Sequence, residues 1–391
     1  MGGTGQPLDA VAHLTGIVRS AHIECTHPDA VAELAKALGP EIDFALVVLY
    51  VSPDAKFRTI VAQAVEIWGP ERVIACTTAG ELGEHGYTEG TIAAIGLPRA
   101  NFCVGSILIN HLEKLDPQEI VGSMIRLRTD LNAQEPEWQH EFAFVAIDGL
   151  SIKEDEVVAA VVSGLGPVPL FGGSAGDGDR FQETYIAVGG QVYTHAAVLC
   201  FVRTNCPVHV FSLDHLTPTD TRMVVTEADS RRRIVRRINA EPAAREYARI
   251  LGKDPEQLSA FTFAAHPVVV RFGGTHHVRA IQRVLENGDL VFFSAIDEGL
   301  VLTLAEPEDM AVHLDRELAR IARGRTPQAI IACDCILRRL EAEQKQRTGA
   351  ISDILARNKV VGFSTYGEQI NGMHVNQTMT GVAIFAPEDG L

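Results

Sequence analysis

The chain has 391 residues, more than one ordinary core accommodates, so two domains are the natural expectation. Its 46% apolar and 21% charged residues supply enough burial to offset chain entropy, which excludes a disordered class. A formal charge of −16 excludes a nucleic-acid surface, because phosphate contacts need clustered cations.

The opening MGGTGQPLDAVAHL has neither the cationic start nor the apolar core of a signal peptide, and Gln6 stands where myristoylation of Gly2 would want Ser or Thr. No apolar run approaches the roughly 20 residues of a membrane span. Seven scattered cysteines suit a reducing compartment, so a cytoplasmic location is expected.

In chain order, 44–51 is a continuous apolar run and reads as a buried strand; 54–67 carries apolar residues at helical spacing and stops at Gly69-Pro70. Strands follow at 73–76, 91–97 and 102–109, a helix at 117–131, a strand at 142–147 and a helix at 153–164. Strands at 168–171, 184–188, 191–194 and 196–202 close this half. The second half reads as strands at 208–214, 222–226 and 233–238, then a helix closed by Gly252. Strands at 267–271, 277–285, 290–296 and 300–304 come next, with Asn287-Gly288 as a hairpin turn. A helix at 307–322, a strand at 330–333, helices at 336–345 and 350–357, and strands at 359–364 and 378–385 complete the series. No short internal repeat is evident. The mixture of βα units and strand pairs implies an α/β (mixed α+β) fold of two domains, 1–212 and 213–391, each a mixed sheet flanked by helices.

Chemistry-bearing stretches are few. GGSAG at 172–176 fits the nucleophile-elbow pattern with Ser174, but that motif needs strand–turn–helix and the pattern here is strand–turn–strand. Cys333 and Cys335 share a strand face without the second ligand pair of a zinc site; buried thiols or a redox pair tuned by Arg338-Arg339 are the readings. Fourteen histidines include no H-E-x-x-H spacing. GEQINGMHVNQTMTG at 367–381 crowds hydrogen-bonding side chains against an apolar strand. It reads either as turn-satisfying polar residues or as a pocket lining.

Several segments together resemble the FIST-domain family: CTTAGELGEHGYTEG (76–90) and LFGGSAGDG (170–178) its N-terminal half, and EPAAREYARILG (241–252), CDCILRR (333–339) and VVGFSTYGEQINGMHVNQTMTGVAIF (360–385) its C-terminal half. Within the family the chain is most similar to the nitric-oxide-sensing group usually called NosP, with one departure at Asn239-Ala240, where a glycine turn is expected. The resemblance implies a non-enzymatic, cytoplasmic haem b sensor of nitric oxide, acting in trans on a histidine kinase or a cyclic-di-GMP enzyme, with a homo-oligomer allowed and no nucleic-acid or membrane partner. Haem iron in gas sensors takes an axial histidine; His374 and His215 are the alternatives, with Glu368 and Gln377 orienting the group. The alternative reading is a haem-free module for a small ligand such as an amino acid. A hydrolase using Ser174 is the third.

Overall fold

The computed structural model describes residues 11–13, 16–272 and 274–387. Three successive stretches of chain share one order of elements: strand, helix, strand, helix, parallel strand, hairpin, returning strand. After an edge strand β1 (Val11–His13), the first unit comprises β2 (Arg19–Glu24), α1 (Ala30–Leu38), β3 (Phe44–Val51), α2 (Phe57–Trp68), β4 (Val73–Thr77), the hairpin β5 (Glu81–Gly83) and β6 (Gly86–Thr88), and β7 (Thr91–Pro98). The second comprises β8 (Phe102–Ile109), α3 (Pro117–Gln134), β9 (His140–Asp148), α4 (Glu154–Leu165), β10 (Leu170–Ala175), the hairpin β11 (Ile186–Val188) and β12 (Gln191–Tyr193), and β13 (Ala197–Thr204).

The third unit starts with β14 (Val208–Leu213) and is then interrupted by a lobe. The lobe holds β15 (Leu216–Asp229), β16 (Ile234–Ile238), β17 (Glu241–Pro242), α5 (Ala243–Leu251), α6 (Ala260–Ala265), β18 (Val268–Phe272), β19 (Thr275–Val278), β20 (Ile281–Val284), β21 (Leu290–Phe292) and β22 (Val301–Pro307). The unit resumes with α7 (Met310–Ala322), β23 (Ala329–Cys335), α8 (Ile336–Gln344), α9 (Thr348–Arg357), β24 (Val360–Thr365), the hairpin β25 (Glu368–Ile370) and β26 (Met373–Val375), and β27 (Met379–Ile384). Position 212/213 thus lies at the end of β14, where the chain leaves the third unit for the lobe.

Each unit forms one sheet and lends its hairpin to another. β3 pairs β4, β9 pairs β10 and β23 pairs β24, all parallel, with the returning strands antiparallel beside them. Beyond each parallel pair sits a guest: β11 on β4, β25 on β10 and β5 on β24. At the centre the three crossings close a ring of backbone hydrogen bonds. Ala79 N donates to Ser364 O (2.9 Å), Tyr366 N to Ser174 O (3.2 Å) and Gly176 N to Thr77 O (3.2 Å). The repeat unseen in the sequence is therefore one of architecture, with a period far longer than a short motif.

Period-2 alternation explains the burial. From β3, Leu46, Val48 and Tyr50 point to a central cluster shared with Phe142, Phe144, Ile331 and Phe363, while Val47, Leu49 and Val51 lie under α1 and α2. α3 and α4 cover the second sheet, and α7 and α9 the third. Each fully buried Leu or Phe contributes about 2 kcal/mol. Helix starts follow the caps in the sequence: Asp116 accepts from Gln118 N (2.9 Å) and Glu119 N (3.1 Å) just before Pro117.

The α/β class expected from the sequence is what forms, with mixed sheets flanked by helices. Two readings need correction. The single strand expected at 277–285 is two, β19 and β20, because the chain leaves the ladder at Arg279-Ala280. The stretches at 81–88 and 368–375, to which the sequence reading assigned no strands, are hairpins. Asn239 and Ala240 take left-handed φ values of 51° and 66°, so the turn that a glycine would ease is made by Asn239, whose amide holds Glu246 and the Val224 N–H.

Candidate functional site

The C-terminal ends of the three parallel pairs converge on the central ring, and the lobe lies across them. In open α/β sheets ligands bind at such ends. The lobe meets this hub through Phe293 and Ala264, packed with Tyr366, Ile336 and Leu337, and Phe181 stacks on Tyr366 at 4.5 Å.

The β25–β26 hairpin carries most of the residues singled out in the sequence. Glu368 is fully buried; one carboxyl oxygen accepts from Thr365 Oγ1 and the other from Thr378 N (3.2 Å) and Oγ1 (2.7 Å). Burial outweighs these donors and pushes its pKa up to about 8. Glu81 repeats the device on β5, held by Thr78 Oγ1, Thr91 N (3.2 Å) and Thr91 Oγ1 (2.9 Å), with its pKa raised to about 7 by burial. Both carboxyls pin the two ends of an exchanged hairpin, so Glu368 is occupied inside the fold.

His374 is buried, and burial holds its pKa below the usual imidazole value. Gln369 Nε2 donates to its Nδ1 (3.1 Å) and to Ser174 Oγ (3.0 Å). A neutral ring then carries its proton on Nε2, which has no partner. The ring packs close against Gly367: a Cβ there would sit 2.3 Å from His374 Cε1 and 2.8 Å from Asn376 Nδ2. Gln377 Nε2 reaches across to the Ala264 carbonyl of α6 (2.6 Å), leaving its Oε1 without a partner.

Beside His374, Gln369 Oε1, both amide atoms of Asn376 and Gln377 Oε1 are buried without partners, and in the lobe Ser294 Oγ, next to the hub-packed Phe293, is another. Leaving such a group unmade costs about 1–3 kcal/mol, so clusters of them mark places where something else completes the bonding. Neighbouring charges complete the setting. Arg233 of the lobe donates to Glu154 (2.7 Å) and Asp155 (3.0 Å) at the start of α4 and to the Phe293 carbonyl, and Asp155 also accepts from Ala295 N (3.2 Å).

His215 lies elsewhere, at the root of the lobe, and shares no partner with His374. Arg338 Nη1 donates to its Nδ1 (2.9 Å) and its Nε2 meets Glu341 Oε2 (2.9 Å). Arg338 also holds Asp334 (2.7 Å), which accepts from Tyr87 OH. Both ring nitrogens are engaged in a buried chain that ties the lobe root to α8 and the β6 hairpin strand.

Three clefts border these elements. One of about 360 Å³ is lined by Asp54, Glu81, Arg180, Phe261 and Arg339. Its guanidiniums are locked, Arg180 to Asp54 and Arg339 to Glu89 (2.6 Å) and Glu343 (3.2 Å). Gly80 lets Arg339 through, since a Cβ there would lie 1.8 Å from Nη1. A second, of about 490 Å³, lies beside α2, and a third, of about 320 Å³, reaches Glu341. None is lined by His215 or His374.

His215 has no nitrogen free for a haem iron, whereas His374 keeps an unpartnered buried Nε2. Ser174 is buried, accepts from Gln369 and continues into a turn rather than a helix, as the sequence pattern indicates. Cys333 and Cys335 are buried, and burial raises both thiols well above the usual value, which keeps them protonated. Among the described residues, no group of three or more His, Cys, Asp or Glu is placed to hold a metal ion, and no helix is long and apolar enough to cross a membrane. Sequence reading overlooked Gln369 and Ser294; the threonines at matched offsets from Glu81 and Glu368 were the available sign that the two hairpins are equivalent.

Residues 45–241 match the family model described as the FIST N domain, and residues 243–371 match the one described as the FIST C domain. No curated protein matches the chain.

Proposed function

The chain belongs to the FIST-domain family, whose domains are sensory and bind small ligands, and from that premise we propose that its ligand binds at the seam between the lobe and the hub, beside His374 and Asn376. One observation carries this reading: Asn376 and Gln377 of the third unit hold unpartnered buried polar atoms where Gln377 bonds the lobe at Ala264, and Ser294 of the lobe, next to Phe293 in the same contact, holds another. A small polar ligand that completes those bonds in the closed arrangement alone would shift the lobe toward the hub, and only such differential contact can move the equilibrium. The lobe joins the third unit at two crossings, between β14 and β15 and between β22 and α7, so its position is a signal that a partner protein can read. The partner implied by the resemblance is a histidine kinase or a cyclic-di-GMP enzyme.

The test is a thermal-shift screen of small amides, amino acids and organic acids on the full chain. Hits should lose affinity at least tenfold in Asn376→Ala, and hits indifferent to that change would place the site elsewhere.

The rival reading, a haem b sensor of nitric oxide, is supported by the resemblance and by the unpartnered His374 Nε2. It requires room for a porphyrin beside His374, which lines none of the three clefts described above. Titration with hemin decides it: a saturable Soret band lost in His374→Ala favours haem, and no band at stoichiometric hemin removes it.

A further inference from the structure

Arg279 is used by neither the hairpins nor the lobe core. It stands where the chain leaves the ladder between β19 and β20, next to Ala280, whose carbonyl accepts from Phe293 N (3.0 Å). Ser294, with its unpartnered hydroxyl, follows directly. The guanidinium donates once, from Nη1 to the Val278 carbonyl (3.2 Å), and its buried Nε has no partner. Among the described residues no carboxylate oxygen lies within 4 Å of it. Its neighbour Arg233, by contrast, holds two carboxylates. Burial lowers the Arg279 pKa; Asp155 and Asp297 offset part of that at a distance, while Arg233 adds repulsion. Arg279 is part-buried, and a cation drawn partly out of water without a hydrogen-bonded anion carries a desolvation cost that a bound anion would offset.

Resting on the seam reading above, we propose that the ligand carries an oxyanion, a carboxylate or a phosphate, and that Arg279 is the residue that binds it. The planar guanidinium suits such a group through paired N–H donors. The unpartnered donors named above have the same polarity: Ser294 Oγ–H, Asn376 Nδ2 and, in the neutral tautomer, His374 Nε2–H. Gln369 Oε1 and Gln377 Oε1 remain as acceptors for a hydrogen-bearing polar group elsewhere on the ligand. Burial lowers the His374 pKa, Arg233 and Arg279 add to this, and Glu154 and Asp155 oppose it.

The experiment compares acetate and succinate with acetamide and succinamide, and with inorganic phosphate, at matched ionic strength. Melting temperature and calorimetric affinity are read on the full chain and on Arg279→Gln, Arg279→Lys and Asn376→Ala. The expected result is saturable stabilisation by the carboxylates, weakened at least tenfold in Arg279→Gln and only partly in Arg279→Lys. A response to phosphate alone, with the same dependence on Arg279, assigns a phosphoryl group. Without any anion, Arg279→Gln should melt no lower than the parent chain. No saturable anion response, an unchanged response in Arg279→Gln, or a large loss of stability in that variant without anion overturns the assignment. Neutral amides that bind, need Asn376 and ignore Arg279 would leave the seam site standing and remove the anion; binding indifferent to both variants would remove both.

Discussion

Glu81 and Glu368 hold matching sets of donors: a threonine hydroxyl three residues before, and the N–H and hydroxyl of a threonine ten residues after. Each carboxyl thereby fastens a hairpin that has left its own unit to complete the sheet of another. The two acids sit at equivalent places in a threefold arrangement that the chain builds from different sequences.

Their titration gives a pH dependence of defined sign. Both folded-state pKa values lie above the unfolded value of 4.5, at about 7 and about 8. Their contribution is complete below pH 4.5 and is lost as pH rises through 7 to 8, each unit of difference being worth about 1.4 kcal/mol. Glu368→Gln is expected to flatten the fall in melting temperature between pH 5 and 8; an unchanged slope would refute the raised pKa.

The His215 chain works in the opposite direction. Burial holds the His215 pKa below the ordinary imidazole value, and its Arg338 neighbour adds to this. Glu341 is likewise lowered: burial opposes the shift, and the bond to His215 leads the favourable causes. Stability from both groups is present above their unfolded values and is lost as pH falls through the folded ones. His215→Ala leaves Arg338 and Glu341 without that partner and should cost about 3–5 kcal/mol in denaturant unfolding. A loss below 1 kcal/mol would show that the chain is not cooperative.

Gly367→Ala tests the packing under His374. The added methyl would meet the imidazole at 2.3 Å and the Asn376 amide at 2.8 Å, so one or both must move. Overpacking of this kind costs about 1–3 kcal/mol. Any ligand response at the seam should weaken with it, and a variant that keeps full stability and full response would place the site away from this hairpin.

Ser174→Ala removes the hydroxyl that accepts from Gln369. Loss of about 1 kcal/mol of stability is expected, with no change in any esterase rate. A rate that disappears with Ser174 would return the nucleophile reading to force.

Much of the secondary structure was legible because periodicity records which side of an element faces a core. The run at 44–51, the stripe on α2 and the cap at Asp116 each state a local requirement that the fold keeps. The hairpins at 81–88 and 368–375 were not legible: strands of three residues are too short to show alternation, and their partners lie in other units. Likewise the polar crowding at 367–381 was visible, but whether it lined a haem slot or fastened a hairpin was not, since Thr365, Thr378 and Ser174 had first to be brought together.

The sequence alone determined the α/β class, most helices and long strands, and the family, because each follows from local propensity, burial pattern or ordered motifs. Tertiary structure decided which hairpin completes which sheet, that His215 is engaged at both nitrogens, and that Arg279 forms no ion pair among the described residues. Those facts depend on hydrogen bonds and charges meeting across large separations in the chain, and a residue's own neighbours carry no record of what folding will set against it.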